Sequence, residues 1–347
     1  MTRVAASLAA VVFALAVAGC GDDGAEPGAP EGATLVLDFQ PNAVHTGIYA
    51  AKHEGFFEEE GVDLTIREPS STSDAPSLLE AGRADFAVMD INDFGIARER
   101  GADLVAIAAV VQRPLASVIA RDRNEVRTPA DLAGMTVGVT GVPSDDAVLE
   151  TVLASGGLPP ESVERIDIGF NAVSALAAGR IDAATAFWNA EGVELKELGV
   201  PTREFRVDEF GATRFPELLL TASADSVPRP LSGDELPCAG ALALRRGYSF
   251  LSRDPDGALD ELLAENPGLD QGSQREQLKT LLSSNAFSPG DRANVASSEL
   301  DRPSPLSWLR WAQAHAVIPP ATRAASVVAD GYRLDFSLHC RAAKASS

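Results

Sequence analysis

Short apolar runs alternate with segments of helical period through most of this chain, and that alternation restricts the fold more than any other feature. Strand-like runs at residues 35–37, 62–66, 86–89 and 104–111 are separated by helical patterns around 48–56, 75–81 and 94–100. Strand and helix in this rhythm mean crossover units and a parallel, doubly wound sheet. The series breaks at Gln112, Arg113 and Pro114. A second series then begins, with strands expected at 117–121, 136–140, 163–168, 183–187, 205–207 and 218–222. From Val227 the pattern turns mainly helical, at 239–251, 258–264, 274–283, 307–316 and 321–329. A length of 347 residues fits about two domains. The expected class is therefore α/β with two lobes, residues 34–113 and 228–347 in lobe 1 and 114–227 in lobe 2.

The first residues stand outside that pattern. Arg3 precedes an apolar run that ends in Val17, Ala18, Gly19 and Cys20. A short apolar core closed by small residues reads as a secretory signal, and with Cys directly after Ala-Gly it resembles a bacterial lipobox. Residues 1–19 are thus expected to be removed as a lipoprotein signal peptide, leaving Cys20 lipidated. A plain signal peptide or a short membrane anchor is the other reading. Residues 20–33 hold little but Gly, Pro, Ala and acids, the composition of a flexible linker. Two cysteines remain, Cys238 and Cys340. Outside the cytoplasm an even pair is expected to be bridged.

A formal charge of −21 argues against nucleic acid or an anionic membrane surface as partner. No metal or other cofactor is expected, since His45, His53, His315 and His339 are scattered. Gly134, Gly138 and Gly141 do not have the spacing of a phosphate-binding loop.

Ligands of open α/β sheets bind beyond the carboxyl ends of the strands. Five loops fall there, at 38–45, 69–73, 90–92, 141–145 and 188–191, three in the first series and two in the second. They supply flat rings (Phe39, Trp188), neutral polar groups (Asn42, Thr72, Asn92, Ser144), His45, and the carboxylates Asp90, Asp145 and Glu191, with no basic residue. Such a set suits a small, planar, nitrogen-rich heterocycle, with rings to stack on it and a carboxylate to accept from its amino edge. Glu191, just past the aromatic strand end, is the first candidate for that carboxylate. Each residue also has a plainer use. His45 can bond the backbone at a helix start, and Ser144 and Asp145 are good N-cap residues. Glu191 can complement a helix dipole, and Trp188 can fill core between the lobes.

The segment DFQPNAVHTGIYAA, from Asp38 to Ala51, resembles the solute-binding proteins that deliver thiamine pyrimidine precursors to ABC transporters. Pro41, Asn42, His45, Thr46 and Gly47 carry the resemblance, and Phe39 stands where that family usually has Trp. AGRADFAV, TPADLAGMTVGV, IGFNAVSAL and AGRIDAATAFW follow in family order. The resemblance implies the type II periplasmic binding protein fold, a hydroxymethyl- or formylaminopyrimidine ligand, a transporter permease as partner, a membrane anchor through lipid, and a monomer. The larger family includes pyrimidine synthases, which place a lysine and a histidine just after the third strand and a cysteine cluster further on. Residues 89–93 here contain neither Lys nor His, and 210–219 no cysteine, so a non-enzymatic binder is expected. Related lipoproteins for riboflavin, nitrate or sulfonates are the remaining alternatives, and the anionic ligands among these would call for cationic residues in the cleft.

Overall fold

The computed structural model describes residues 30–69, 74–122, 126–141, 143–169, 171–227, 233, 235–288, 303–320 and 339–342. The expected signal peptide with Cys20, the loop residue Thr72 and the helix expected at 321–329 lie outside them.

Lobe 1 is built on a five-stranded sheet of order β2-β1-β3-β10-β4. Its strands are β1 (Glu31–Val36), β2 (Val62–Arg67), β3 (Phe86–Asp90), β4 (Leu104–Val111) and β10 (Leu218–Ser223). Helices α1 (Thr46–His53), α2 (Phe56–Glu59), α3 (Asp74–Glu80) and α4 (Ile91–Glu99) connect the first four strands. β4 ends the sheet yet is buried along its whole length, as its unbroken apolar sequence requires.

Lobe 2 holds β5 (Ala116–Arg121), β6 (Thr136–Val139), β7 (Glu164–Asp167), β8 (Ala183–Phe187) and β9 (Thr202–Arg206) in the order β7-β6-β8-β5-β9. Its helices are α5 (Pro143–Ser155), α6 (Ala172–Ala177) and α7 (Glu191–Glu197). Then come α8 (Leu236–Arg253), α9 (Pro255–Glu265), α10 (Gln271–Ser283) and α11 (Pro303–Ala314).

Three details correct the sequence expectation. Neither sheet is purely parallel, because β10 runs antiparallel to β3 and β4, and β5 antiparallel to β8 and β9. Each is the first strand after the chain changes lobe, so the crossing chain enters its new sheet against the direction of its neighbours. β10 belongs to the first sheet, so the chain is back in lobe 1 by Leu218 and not after Val227. Finally, β1 starts at Glu31, inside the expected linker, because Glu31, Gly32 and Ala33 pair in register with Val62, Asp63 and Leu64 of β2. Ladder hydrogen bonds override a composition that favours a loop.

α8 packs its buried face on α1, and the two backbones meet at glycines. A Cβ on Gly247 would lie 2.0 Å from the Gly47 carbonyl oxygen. Cys238 on α8 is disulfide-bonded to Cys340, as the sequence led one to expect. α11 spans the lobes. The Trp308 indole N–H donates to Asn92 Oδ1 at the start of α4 (2.9 Å), and that of Trp311 donates to Thr151 Oγ1 on α5 (2.8 Å).

Candidate functional site

The loop after β1 is built by its own polar residues. Asn42 is extended, and its Oδ1 accepts from the Val44 amide at 3.0 Å, capping a 3-10 turn over Ala43–His45. His45 Nδ1 accepts from the Asn42 amide at 3.2 Å, so Nε2 carries the proton and donates to Asp38 Oδ1 at 2.8 Å. The imidazole is fully buried with both nitrogens engaged. Here His45 holds the loop and does not present itself to the cleft. Thr46 donates to the Ala43 carbonyl, and Tyr248, reaching across from α8, donates to that of Val44. Gly47 leaves room for the Tyr248 ring. Asn42, His45, Thr46 and Gly47 together fix a loop on which Phe39 stands 46% exposed.

At the end of β3, Asp90 caps α4 through a 2.6 Å bond from the Asn92 amide. Asn92 is buried, and its Oδ1 is occupied by Trp308, which ties it to α11. Asp93, one turn into α4, differs from both. Its side chain is accessible, yet burial by the surrounding walls, followed by the charges of Asp90 and Asp38, lifts its pKa to about 7. An accessible carboxylate crowded by protein is what the floor of a cleft provides.

In lobe 2, Asp145 accepts from the amide (2.7 Å) and hydroxyl (2.6 Å) of Thr140, which joins the end of β6 to α5. Ser144 stands half-buried in the first turn of α5. Side chains alternate along β8 and its continuation, and this sends Trp188 into the hinge. Trp188 is fully buried, its indole N–H donates to the Pro114 carbonyl at 3.0 Å, and the Arg206 guanidinium lies 4.1 Å from its ring centroid. The expectation that Trp188 offers a stacking face to the cleft is therefore corrected: the ring is packing between lobes. Its neighbour Phe187 is half-buried instead. Glu191, first residue of α7, accepts from the Phe187 amide at 3.1 Å. Burial raises the Glu191 pKa, the Phe187 amide works against that, and the charges of Glu194 and Asp145 add to it. Asn189, between them, is 1% exposed, and its Oδ1 has no hydrogen-bond partner among the described residues.

The arginines at the hinge are spoken for. Arg113 is forked between Asp208 (2.7 Å) and Glu209 (2.6 Å), and Arg206 pairs with Glu204 at 3.1 Å. Among the described residues no set of three or more His, Cys, Asp or Glu is placed to hold a metal ion. The arrangement can present rings, amides and carboxylates to a ligand.

A profile described as NMT1/THI5 like matches residues 42–258, which is more than half of the chain. The chain belongs to the NMT1/THI5-like family. Within that family it is 34% identical over 253 residues to a formylaminopyrimidine-binding protein of Halalkalibacterium halodurans, covering 72% of this chain and 76% of the relative. It is also 27% identical over 239 residues to a 4-amino-5-hydroxymethyl-2-methylpyrimidine phosphate synthase of Legionella pneumophila, covering 68% and 74%. Among solved structures, the alkanesulfonate-binding protein of Xanthomonas axonopodis pv. citri superposes with a TM-score of 0.64 at 18% identity, over 88% of this chain and 99% of that one. That likeness establishes the two-lobed periplasmic binding protein fold.

Asp93, Asp38 and Glu217 are the site-region residues that sequence reasoning passed over. Asp93 sat in plain view three residues after Asp90 at a strand–helix junction. Glu217 gave no local signal, because its role depends on β10 lying beside β3.

Proposed function

We propose that this chain is an extracytoplasmic binding protein that captures a 4-aminopyrimidine precursor of thiamine between its lobes and passes it to an ABC importer. The observation that carries the reading is the chemistry of the cleft. Glu191 from lobe 2 and Asp93 from lobe 1 are carboxylates in surroundings that favour a hydrogen-bond donor or a cation as neighbour. Phe39, on the loop after β1, and Phe187, at the end of β8, are partly accessible rings. An aminopyrimidine is planar, carries an exocyclic N–H2 edge and has a weakly basic ring nitrogen, so it meets both features. A sulfonate or nitrate would instead place an anion against these acids. The name of the 34% identical relative points the same way.

In this reading Phe39 and Phe187 sandwich the ring, Glu191 accepts from the amino edge, and Asp93 closes the other side. Ser144 and Asn42 border the pocket. Asp90, Asn92, Asp145, His45 and Trp188 act as supports, each through the bonds described above. Residues 89–93, where the synthase branch has its lysine and histidine, contain neither, so the ligand is released unchanged. Lipidation at Cys20 would hold the monomeric protein at the outer face of the membrane, near the permease.

The test is calorimetry with formylaminopyrimidine and hydroxymethylpyrimidine beside nitrate and an alkanesulfonate. Micromolar or tighter binding of a pyrimidine, about −8 kcal/mol, supports the assignment; heat from the anions alone defeats it. Formation of a pyrimidine from pyridoxal phosphate and histidine within the protein would place the chain in the synthase branch.

A further inference from the structure

Two carboxyl groups, Glu217 buried and Asp90 half-buried, meet where the chain crosses between the lobes. In the antiparallel pairing of β10 with β3, Leu218 faces Asp90, so Glu217 arrives beside it, and the Ile91 amide donates to the Glu217 carbonyl at 2.9 Å. The Asp90 and Glu217 side chains are hydrogen-bonded to each other. Glu217 is 2% exposed. Its Oε2 also accepts from the amide of Leu115, on the outgoing crossing, at 3.0 Å. One side chain thus joins the outgoing crossing, the returning one and the end of β3.

Two carboxylates cannot hydrogen-bond without a proton between them. Asp90 already accepts from the Asn92 amide, which suits the anion, while Glu217 needs only one oxygen for Leu115. Glu217 is then the donor, as R–COOH to the Asp90 carboxylate. We propose that Asp90 and Glu217 share one buried proton that fastens both interlobe crossings to lobe 1, and that losing it loosens the hinge. Ligand chemistry plays no part in this proposal.

The surroundings fit. Burial raises both pKa values, and the charge of Asp90 raises that of Glu217 further. The charged groups facing the pair are acidic: Asp93 on α4, which feels the charge of Asp90, and Asp208 after β9, which acts on Glu217, with Asp38 after β1 beyond them beside Asp93. Arg113 on the outgoing crossing is committed to Asp208 and Glu209. A second negative charge here would find no partner among these groups, and repulsion would fall on the Leu115 contact. For a carboxyl whose folded pKa is raised, the stabilisation is complete below its ordinary value of 4.5. It is lost as pH rises toward the folded value, tenfold in the folding constant per pH unit.

Glu217→Gln tests this, because the amide keeps both contacts, Nε2 donating to Asp90 and Oε1 accepting from Leu115, with no proton to lose. Infrared difference spectra, wild type minus Glu217→Gln at neutral pH, should contain a protonated-carboxyl C=O band, since any contribution from Asp93 and Glu191 is common to both proteins and cancels. Hydrogen exchange at the Leu115 amide, corrected for intrinsic rate, should lose protection in the wild type as pH is raised and hold steady in Glu217→Gln. If that variant does not fold, Asp90→Asn serves, since its amide can donate to an ionised Glu217; the wild type should show the same difference band against it, and the pH profile should flatten. Absence of the difference band, or equal pH profiles in wild type and variant, overturns the proposal.

Discussion

Replacing Gly47 by Ala should damage the loop that carries Phe39 although it adds a single methyl. The new Cβ would lie 2.7, 2.7 and 2.8 Å from three atoms of the Tyr248 ring. Carbon atoms pack at about 3.5–4.0 Å, so the ring or α1 must shift by nearly an ångström. Tyr248 has little room to yield: it is fully buried, stacks near Phe287 with centroids 5.3 Å apart, and donates to the Val44 carbonyl at 2.8 Å. Overpacking of this kind costs about 1–3 kcal/mol, and a strained or broken Tyr248 bond adds about 1. The better helix propensity of Ala offsets up to about 1 kcal/mol. The net expectation is about 1–3 kcal/mol of destabilisation in urea unfolding. Tyr248→Leu removes the ring edge, so Gly47→Ala made in that background should cost at least about 1 kcal/mol less. An equal cost in both backgrounds, or none in the first, would refute the claim that Gly47 is there for the tyrosine.

Other expectations can be checked with purified protein. Trp188→Phe removes the donor to the Pro114 carbonyl and part of the face under Arg206, and should lower stability by about 1–3 kcal/mol in the same urea titration; a neutral outcome would deny Trp188 its hinge role. Asp93→Asn should raise the melting temperature more at pH 8 than at pH 5. A carboxyl raised to about 7 supports the fold below its ordinary 3.8 and loses that contribution as pH climbs through 7; an equal gain at both values would contradict it. Reducing the Cys238–Cys340 bond, whose partners are 102 residues apart, should cost up to about 4–5 kcal/mol in the chain-entropy view, read as a fall in urea midpoint with reductant. An unmoved midpoint would show that the bridge constrains little.

Much of this fold was legible because its signals are local. Residues 104–111 read as an unbroken apolar strand and form one, and the strand at 183–187 has the bounds its pattern gave. What failed depended on pairing partners. Glu31 to Ala33 look like linker until β2 is laid beside them, and β10 is assigned to a lobe only by its neighbours. The site divided in the same way. Glu191 follows a strand end in the sequence, and it opens α7 in the structure. Trp188 is read as a cleft ring because period-two alternation cannot be phased without knowing which face of β8 meets the hinge. His45 and Asn42 matched the family pattern, but the pattern did not say that their bonds are spent on the loop itself.

Titration calorimetry of formylaminopyrimidine into wild type and Glu191→Gln tests most directly whether Glu191 receives the amino edge of a pyrimidine. The substitution keeps the shape and replaces one acceptor oxygen with a donor. The wild type should bind, and the variant should lose about 1.5–3 kcal/mol, roughly ten- to a hundredfold in Kd. Equal affinity in the two proteins would contradict the pairing, and a wild type that binds no pyrimidine would contradict the function.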